Sequence, residues 1–248
     1  MLDSYADIFA RRADRYYRAM DMFPKARDAE FAVVADCLDA DCKVVYDMPS
    51  GSGWLRRYIA DDIRYVAVEP AEYFQQRCPS DERSSSLLAQ VEAVPAPAGT
   101  ACAIISLAGL HHAPDLSVIF AEMHRLLKPG GQLVIADVGA GSSADRFLNV
   151  YVDANNSMGH EGRFLDEETA RLLVAAGFEV IEDRQAETPW VFGDRISAGA
   201  YCRDLFGIDG QSAEQVCDAL ADIVGLSEGD GSHVVQWSLR RIICRKPG

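Results

Sequence analysis

Positive charge is scarce in this chain. Its 24 Lys and Arg stand against 38 Asp and Glu, a formal net charge of −14 over 248 residues. Nucleic-acid and anionic-membrane surfaces need a positive face, so the balance argues against both as partners. Long apolar runs are missing too: none approaches the roughly 20 residues that a membrane span needs. The first residues bring Arg and Asp too early for a signal peptide. The seven cysteines are odd in number and lack CxxC spacing. That argues against a disulfide frame or a zinc cluster and for free thiols in a reducing compartment. The histidines lack ligand spacing with a third partner, so no metal is expected. There is no GxSxG elbow of a hydrolase. No repeat, low-complexity tract or linker divides the chain. The expectation is a soluble, cytoplasmic protein of one domain.

What is present centres on Val44-Val45-Tyr46-Asp47-Met48-Pro49-Ser50-Gly51-Ser52-Gly53-Trp54-Leu55. A β-branched run ends at Asp47, a turn-forming stretch follows, and a helical pattern resumes from Leu55 to Ile59. Such a strand–turn–helix joint lets backbone approach a nucleotide-like ligand closely. The next strand is predicted from Arg64 to Glu69 and is stopped by Pro70. Glu69 lies 22 positions after Asp47, where a carboxylate can take the two hydroxyls of a ribose. A weaker strand is predicted over Leu87–Val91, an apolar buried one over Ala101–Leu107, and a fifth over Gln132–Val138. Asp115 caps a helix from Leu116 to Leu127, which ends at Lys128-Pro129-Gly130-Gly131. Strand and helix alternate with short joints, which predicts a parallel sheet covered by helices on both faces.

Ahead of this half, residues 5–38 read as two helices divided near Pro24. Tyr5, Tyr16 and Tyr17 suit either core packing or a lid over a cofactor. Behind it come a helical stretch over Arg146–Asp153, a polar glycine-containing loop from Asn155 to Gly162, and a helix over Phe164–Ala176. A strand over Phe178–Ile181, a helical pair over Ile196–Val224 and a final strand over Val234–Cys244 complete the pattern.

The motifs Asp47-x-Pro49-x-Gly51-x-Gly53, Glu69-Pro70, Leu110-His111-His112-x-Pro114-Asp115 and Glu122-x-x-Arg125-x-Leu127-Lys128-Pro129-Gly130-Gly131 occur in this order. In these motifs the chain resembles class I S-adenosylmethionine-dependent methyltransferases acting on small molecules. The resemblance is strong from Asp47 to Val138 and weaker from Phe164 to Ile181. It implies an α/β, Rossmann-like fold: a seven-stranded, mostly parallel sheet with an antiparallel last strand, helices on both faces and an N-terminal helical lid. The division would be a lid over 1–38, a cofactor half over 43–138 and an acceptor half over 139–248.

The resemblance also implies roles. Asp47, Pro49, Ser50, Gly51 and Gly53 would lie against the methionine part of S-adenosylmethionine. Glu69 and Pro70 would meet the ribose, Gln90 and Val91 the adenine, and Ser106 and Leu107 the transfer site. Pro49 replaces the family's first turn glycine, so the site either uses negative φ there or is remodelled. Methyl transfer from a sulfonium needs alignment more than a fixed catalytic residue. His111 and His160 are the candidate bases, with His112 read as a structural tie of its loop. Tyr151, Asn155, His160, Trp190 and Phe192 are candidates for an acceptor pocket, whereas Trp237 reads as core. The expected function is methylation of O, N or C of a small-molecule acceptor by a monomer or homodimer. The alternatives are a non-catalytic binding or partner protein of the same fold and a nicotinamide-dependent dehydrogenase, whose GxGxxG pattern is incomplete here.

Overall fold

The computed structural model describes residues 5–248, with side chains from residue 11 onward. The Tyr5 side chain, read above as part of a lid, lies outside the described residues. Helices α1 (Tyr5–Met22) and α2 (Asp28–Ala35) lead the chain and part around Pro24. Strands β1 (Val44–Asp47), β2 (Arg64–Glu69), β3 (Ser84–Leu88), β4 (Ala101–Leu107) and β5 (Leu127–Asp137) run parallel in the order β3-β2-β1-β4-β5. Beyond β5 the sheet continues with a last strand from Ser238 to Arg245 and then with β6 (Glu179–Glu187), each antiparallel to its neighbour. The result is the seven-stranded, mostly parallel sheet with a reversed last strand.

Alternation along the strands divides two apolar cores. Val45, Ala103, Ile105, Val134 and Ala136 face one side, where α2 brings Phe31 and Val34. On the same side pack α8 (Arg195–Leu205), through Tyr201 and Leu205, and α9 (Ala213–Ile223), through Val216 and Leu220. Tyr46, Ile104, Leu133, Ile135 and Ile242 face the other side, against α4 (Leu116–Leu126) and α7 (Glu167–Ala175). Asp115 caps α4 by accepting from the Ser117 N–H at 2.8 Å. Among the described residues no helix is long and apolar enough to cross a membrane.

Four elements differ from the sequence reading. The segment after the glycine turn is one 3-10 stretch, Trp54–Tyr58, rather than an α-helix. The third strand lies three residues earlier than expected, because polar Ser84, Ser85 and Ser86 form an edge strand with no need of apolar side chains. The sequence after Pro70 starts a helix over Ala71–Arg77; helix α3 (Glu72–Gln75) is a single turn. The expected strand over Val234–Cys244 is two strands. Its first part, β9 (Ser232–Val235), joins β7 (Trp190–Phe192) and β8 (Leu226–Gly229) in a small antiparallel sheet; the second part is the Ser238–Arg245 strand, β10. The chain bends between them, where the Trp237 N–H donates to the Val235 carbonyl at 2.8 Å.

The helical stretch after β5 consists of α5 (Ser143–Arg146), a wide π-type turn over Phe147–Val152, and α6 (Asp153–Asn155). The Lys128-Pro129-Gly130-Gly131 segment is an excursion within β5: Ala101 of β4 pairs with Leu127 and Ala103 with Gln132. Lys246 closes it, donating from Nζ to the carbonyls of His124 and Leu127 at 2.7 and 2.8 Å. Because β1, β2, β4 and β5 are parallel, Asp47, Glu69, Leu107 and Asp137 all end on one edge of the sheet. Ligand crevices of open α/β sheets form at such an edge.

Candidate active site

A cavity of about 1010 Å³, counted out to its open mouth, lies at this edge. Its floor is the 47–53 loop. Asp47 is buried, and the Tyr65 hydroxyl donates to its Oδ2. Burial pushes the Asp47 carboxyl up to about 7, with the Tyr65 hydrogen bond opposing. The Met48–Pro49 peptide is cis. Among the described residues the left-handed region is taken in this loop only by Gly51 (φ +55°) and Gly53 (φ +70°), so Pro49 sits at negative φ. The two glycines serve different ends. A Cβ on Gly51 would meet nothing within 4 Å, so this backbone borders open space. A Cβ on Gly53 would lie 2.5 Å from Cδ of Pro79, so this one permits close packing.

Glu69 is fully buried at the end of β2. Its Oε2 accepts from the Gly51 N–H at 2.7 Å and its Oε1 from the Ala71 N–H at 2.8 Å. The carboxylate thus holds the turn in shape. Phe74 and Tyr16 stand at the cavity wall on this side, their rings 5.5 Å apart in an edge-on pair. Tyr17 of α1 lies against Trp54, with ring centroids 5.6 Å apart. The aromatics of α1 therefore close the loop end of the cavity.

Three histidines meet at the opposite wall. His111 and His112 come from the short turn after β4, and His160 from the polar loop after α6. Their ring centroids are 4.1 Å (His111–His112), 5.9 Å (His111–His160) and 5.7 Å (His112–His160) apart. Nδ1 of His111 lies 2.7 Å from Oδ1 of Asp137. Asp137 also accepts from the N–H groups of Leu110, His111 and Val138, so its oxygens act as acceptors and Nδ1 carries the proton. Nδ1 of His160 lies 3.2 Å from Oδ1 of Asn149, and that oxygen already accepts from the Gly162 N–H. Nε2 is left on both rings as the nitrogen open to a ligand. Burial, with His111 and Arg12 nearby, lowers His160 to about 3. Burial and the same neighbours, with His160, also hold His112 well below its usual value. Both are uncharged at neutral pH.

The backbone beside this cluster is unusual. Ala108 takes φ +49°, which costs a residue with a Cβ roughly 1–2 kcal/mol.

The remaining wall is aromatic and buries one ion pair. Trp190 and Trp237 stack with centroids 4.4 Å apart, and Phe206 stacks 5.9 Å from Trp237. Glu30, fully buried, accepts from Nε1 of Trp190 at 2.6 Å and from Nε of Arg27 at 3.1 Å. Arg27 also donates to the Tyr16 hydroxyl at 3.2 Å. Arg12 donates to the Leu205 carbonyl at 3.0 Å, while its buried Nε has no partner among the described residues. Burial, and then the charge of Arg15, lower Arg12 to about 10.

Residues 46–135 match the methyltransferase domain family. The matched segment is 90 of the chain's 248 residues. No curated protein matches the sequence. Among solved structures, an S-adenosylmethionine-dependent methyltransferase from Thermotoga maritima aligns with TM-score 0.64 at 18% identity, covering 96% of this chain and 98% of that one. A Burkholderia thailandensis 1,6-didemethyltoxoflavin-N1-methyltransferase aligns with TM-score 0.58 at 17% identity, covering 97% and 88%. The [4+2]-cyclase SpnF aligns with TM-score 0.66 at 16% identity, covering 100% and 97%. Identities this low establish a shared fold, and a cyclase among the neighbours shows that the fold alone does not fix the reaction.

Within the matched segment, Asp47, Pro49, Ser50, Gly51, Leu107 and His111 lie on the cavity wall. Outside the matched segment, so do His160 and Trp190. Other predicted site residues are elsewhere. Gly53 packs on Pro79, and Glu69 is sealed behind Gly51 and Ala71, with Pro70 following it. Gln90 is exposed beyond β3, and Val91 is buried in the core beneath it, because β3 ends at Leu88. Ser106 points into the sheet, its buried hydroxyl without a partner among the described residues.

On the acceptor side, Tyr151 stacks on Phe147 and Asn155 bonds the Tyr151 carbonyl and Gln211. Phe192 packs on Phe23 and Tyr201. None of these three faces the cavity. Trp237, read as core because it sits in an apolar run, does face it, since the bend after β9 turns it inward. Arg12, Arg27, Glu30 and Phe74 were missed altogether; they come from helices with no motif of their own.

Proposed function

We propose that this chain transfers a methyl group from S-adenosylmethionine to a small molecule with a flat apolar body and a hydroxyl or amine. The observation that carries this reading is the juxtaposition, in one cavity, of the Gly51 turn with the His111–His160 wall. The residues present suit the cofactor at the turn. Gly51 borders open space at positive φ, and Asp47 offers a carboxyl poised near neutrality. Glu69, the ribose candidate, is taken up by the Gly51 and Ala71 N–H groups, so ribose contact requires that turn to open.

When bound, the cofactor supplies an electrophilic methyl group on a sulfonium. The protein's own part is alignment and the exclusion of water. Trp190, Trp237 and Phe206 give the cavity an aromatic wall that suits an apolar body. His111, oriented by Asp137, presents Nε2 to the acceptor's O–H or N–H, the arrangement of an oriented general base. His160, uncharged, presents a second acceptor nitrogen. The cavity size and its enclosed aromatic wall support a small molecule rather than a macromolecule.

Calorimetric titration with S-adenosylhomocysteine and with NAD tests the cofactor. Tight binding of the first alone is expected; binding of neither would favour the non-catalytic reading. Incubation with S-adenosylmethionine and a panel of phenols and amines, followed by mass spectrometry, tests the transfer.

A further inference from the structure

We propose that His111, His112 and His160 form a binding site for a divalent transition-metal ion at the acceptor end of the cavity. One ring nitrogen from each lies within 4.8 Å of the others. A tetrahedral three-histidine site needs nitrogens roughly 3.3 Å apart, given metal–nitrogen bonds of about 2.0–2.1 Å. The nitrogens must therefore close by up to about 1.5 Å. His160 stands on a loop between Gly159, at φ +70°, and Gly162, and the closure must come from that loop.

The surroundings are those of ligands rather than of packed rings. Metal-bound histidines characteristically donate their other N–H to a carboxylate, a carbonyl or an amide, which fixes the tautomer. His111 does so to Asp137 and His160 to Asn149. Asp137 is fully buried, and it places an anion directly behind a ligand. Asn149 sits on the wide π-type turn, a local irregularity that often marks functional sites.

Arg12 is the opposing charge, since its field acts on both His112 and His160. It disfavours a bare cation and favours one that carries an anionic fourth ligand. Three neutral imidazoles with one open position suit Zn²⁺ or Co²⁺, with an oxygen completing the shell.

The site's role rests on the methyl-transfer reading, although its existence does not. A hydroxyl acceptor in the open position would lose its proton to water. Its oxygen would then form the new C–O bond to the methyl carbon, and the electron pair of the breaking C–S bond would stay on sulfur as a neutral thioether. His111 then acts as a ligand and not as a base.

The test is titration of chelator-treated full-length protein with Co²⁺, followed by its visible d–d absorption, then displacement by Zn²⁺. One equivalent with the strong bands of a four-coordinate site is expected. His160→Gln should weaken binding by about 100-fold or more, and Asn149→Ala by about 10- to 100-fold. The remote His233→Gln should change nothing. Circular dichroism checks each fold, and His112→Gln replaces His160→Gln if the latter does not fold. Absence of the bands at millimolar Co²⁺, or binding unchanged in the histidine variants, would overturn the proposal. S-adenosylhomocysteine binding to the metal-free protein is measured separately, so a failure of the methyl-transfer reading is distinguishable from a failure of the metal site.

Discussion

Asp137 holds His111 from behind: Oδ1 lies 2.7 Å from Nδ1 of the ring, and Oδ2 accepts the backbone N–H of Leu110 at 2.9 Å. One carboxylate thus shapes the turn after β4 and aims the imidazole that the turn carries. Asp137→Asn puts an NH₂ group where one of these donors already points. A buried donor facing a donor costs roughly 1–3 kcal/mol, and more where a charged acceptor is lost. A fall of about 2–4 kcal/mol is expected in urea unfolding. His111→Ala leaves the three backbone donors satisfied and should cost less stability than Asp137→Asn. A larger loss from His111→Ala would mean that the ring supports the turn, and not the reverse.

Glu30 is the second buried anion of the cavity and serves two donors, Trp190 and Arg27. Removing the charge while leaving Arg27 buried is the costly operation, about 3–5 kcal/mol for ion pairs of this kind. Glu30→Gln should therefore lower the urea midpoint strongly. Arg27→Met in the same chain should recover most of that loss, because the Gln carbonyl still accepts from Trp190. A double variant no better than Glu30→Gln alone would show that Arg27 is stabilised by its other contacts, with Tyr16 and Met20.

The strand–turn joint and the sheet were legible because each rests on a local pattern: Val44 to Asp47, Ala101 to Leu107, and the capped helix leading to Lys128-Pro129-Gly130-Gly131. The edge strand was misplaced because Ser84 to Ser86 gain nothing from being apolar. The histidine wall was not legible as a unit. His160 lies 48 residues after His112, and only the polar loop's return across the sheet edge joins them. Spacing rules find side chains that share one element, and here the third histidine belongs to another. Trp237 is core, as its sequence context suggested, and also borders the cavity; an apolar run of one period reads as one strand, and nothing in it announces the bend that brings Trp237 there. Arg27 and Glu30 sit three apart on or beside a short helix, where the pattern is that of an ordinary surface pair.

Asp47 makes stability depend on pH in a direction opposite to that of most carboxylates. Unfolded, its pKa is about 3.9. Folded, burial raises it to about 7. Between these values the folded state keeps a proton that the unfolded state has lost. This group's contribution therefore falls as pH rises from about 4 to about 7 and is flat above. His160, lowered to about 3, acts the other way, since its unfolded form takes a proton below about 6.5. Asp47→Asn removes the first dependence while keeping an acceptor for Tyr65. Relative to wild type, it should gain stability between pH 4 and pH 8 by a few kcal/mol in chemical denaturation. An unchanged pH profile would place the Asp47 titration in the ordinary carboxylate range.

Pro49 and Gly109 are matched across the site. A Cβ on Gly109 would lie 2.4 Å from Cγ of Pro49 and 3.1 Å from its Cδ. Gly109 has φ −137°, which alanine also adopts, so the obstacle to Gly109→Ala is contact and not backbone strain. The pyrrolidine ring cannot rotate away, so the loop itself must shift, at a cost of about 1–3 kcal/mol for overpacking of this kind. In a Pro49→Gly background the same Cβ meets open space. Gly109→Ala should then cost little, and its effect on S-adenosylhomocysteine affinity should shrink in parallel. A double-mutant cycle in urea measures the coupling, expected above about 1 kcal/mol for side chains in contact. A coupling indistinguishable from zero would mean that the two loops yield independently, and that Pro49 does not set the position of the turn carrying His111.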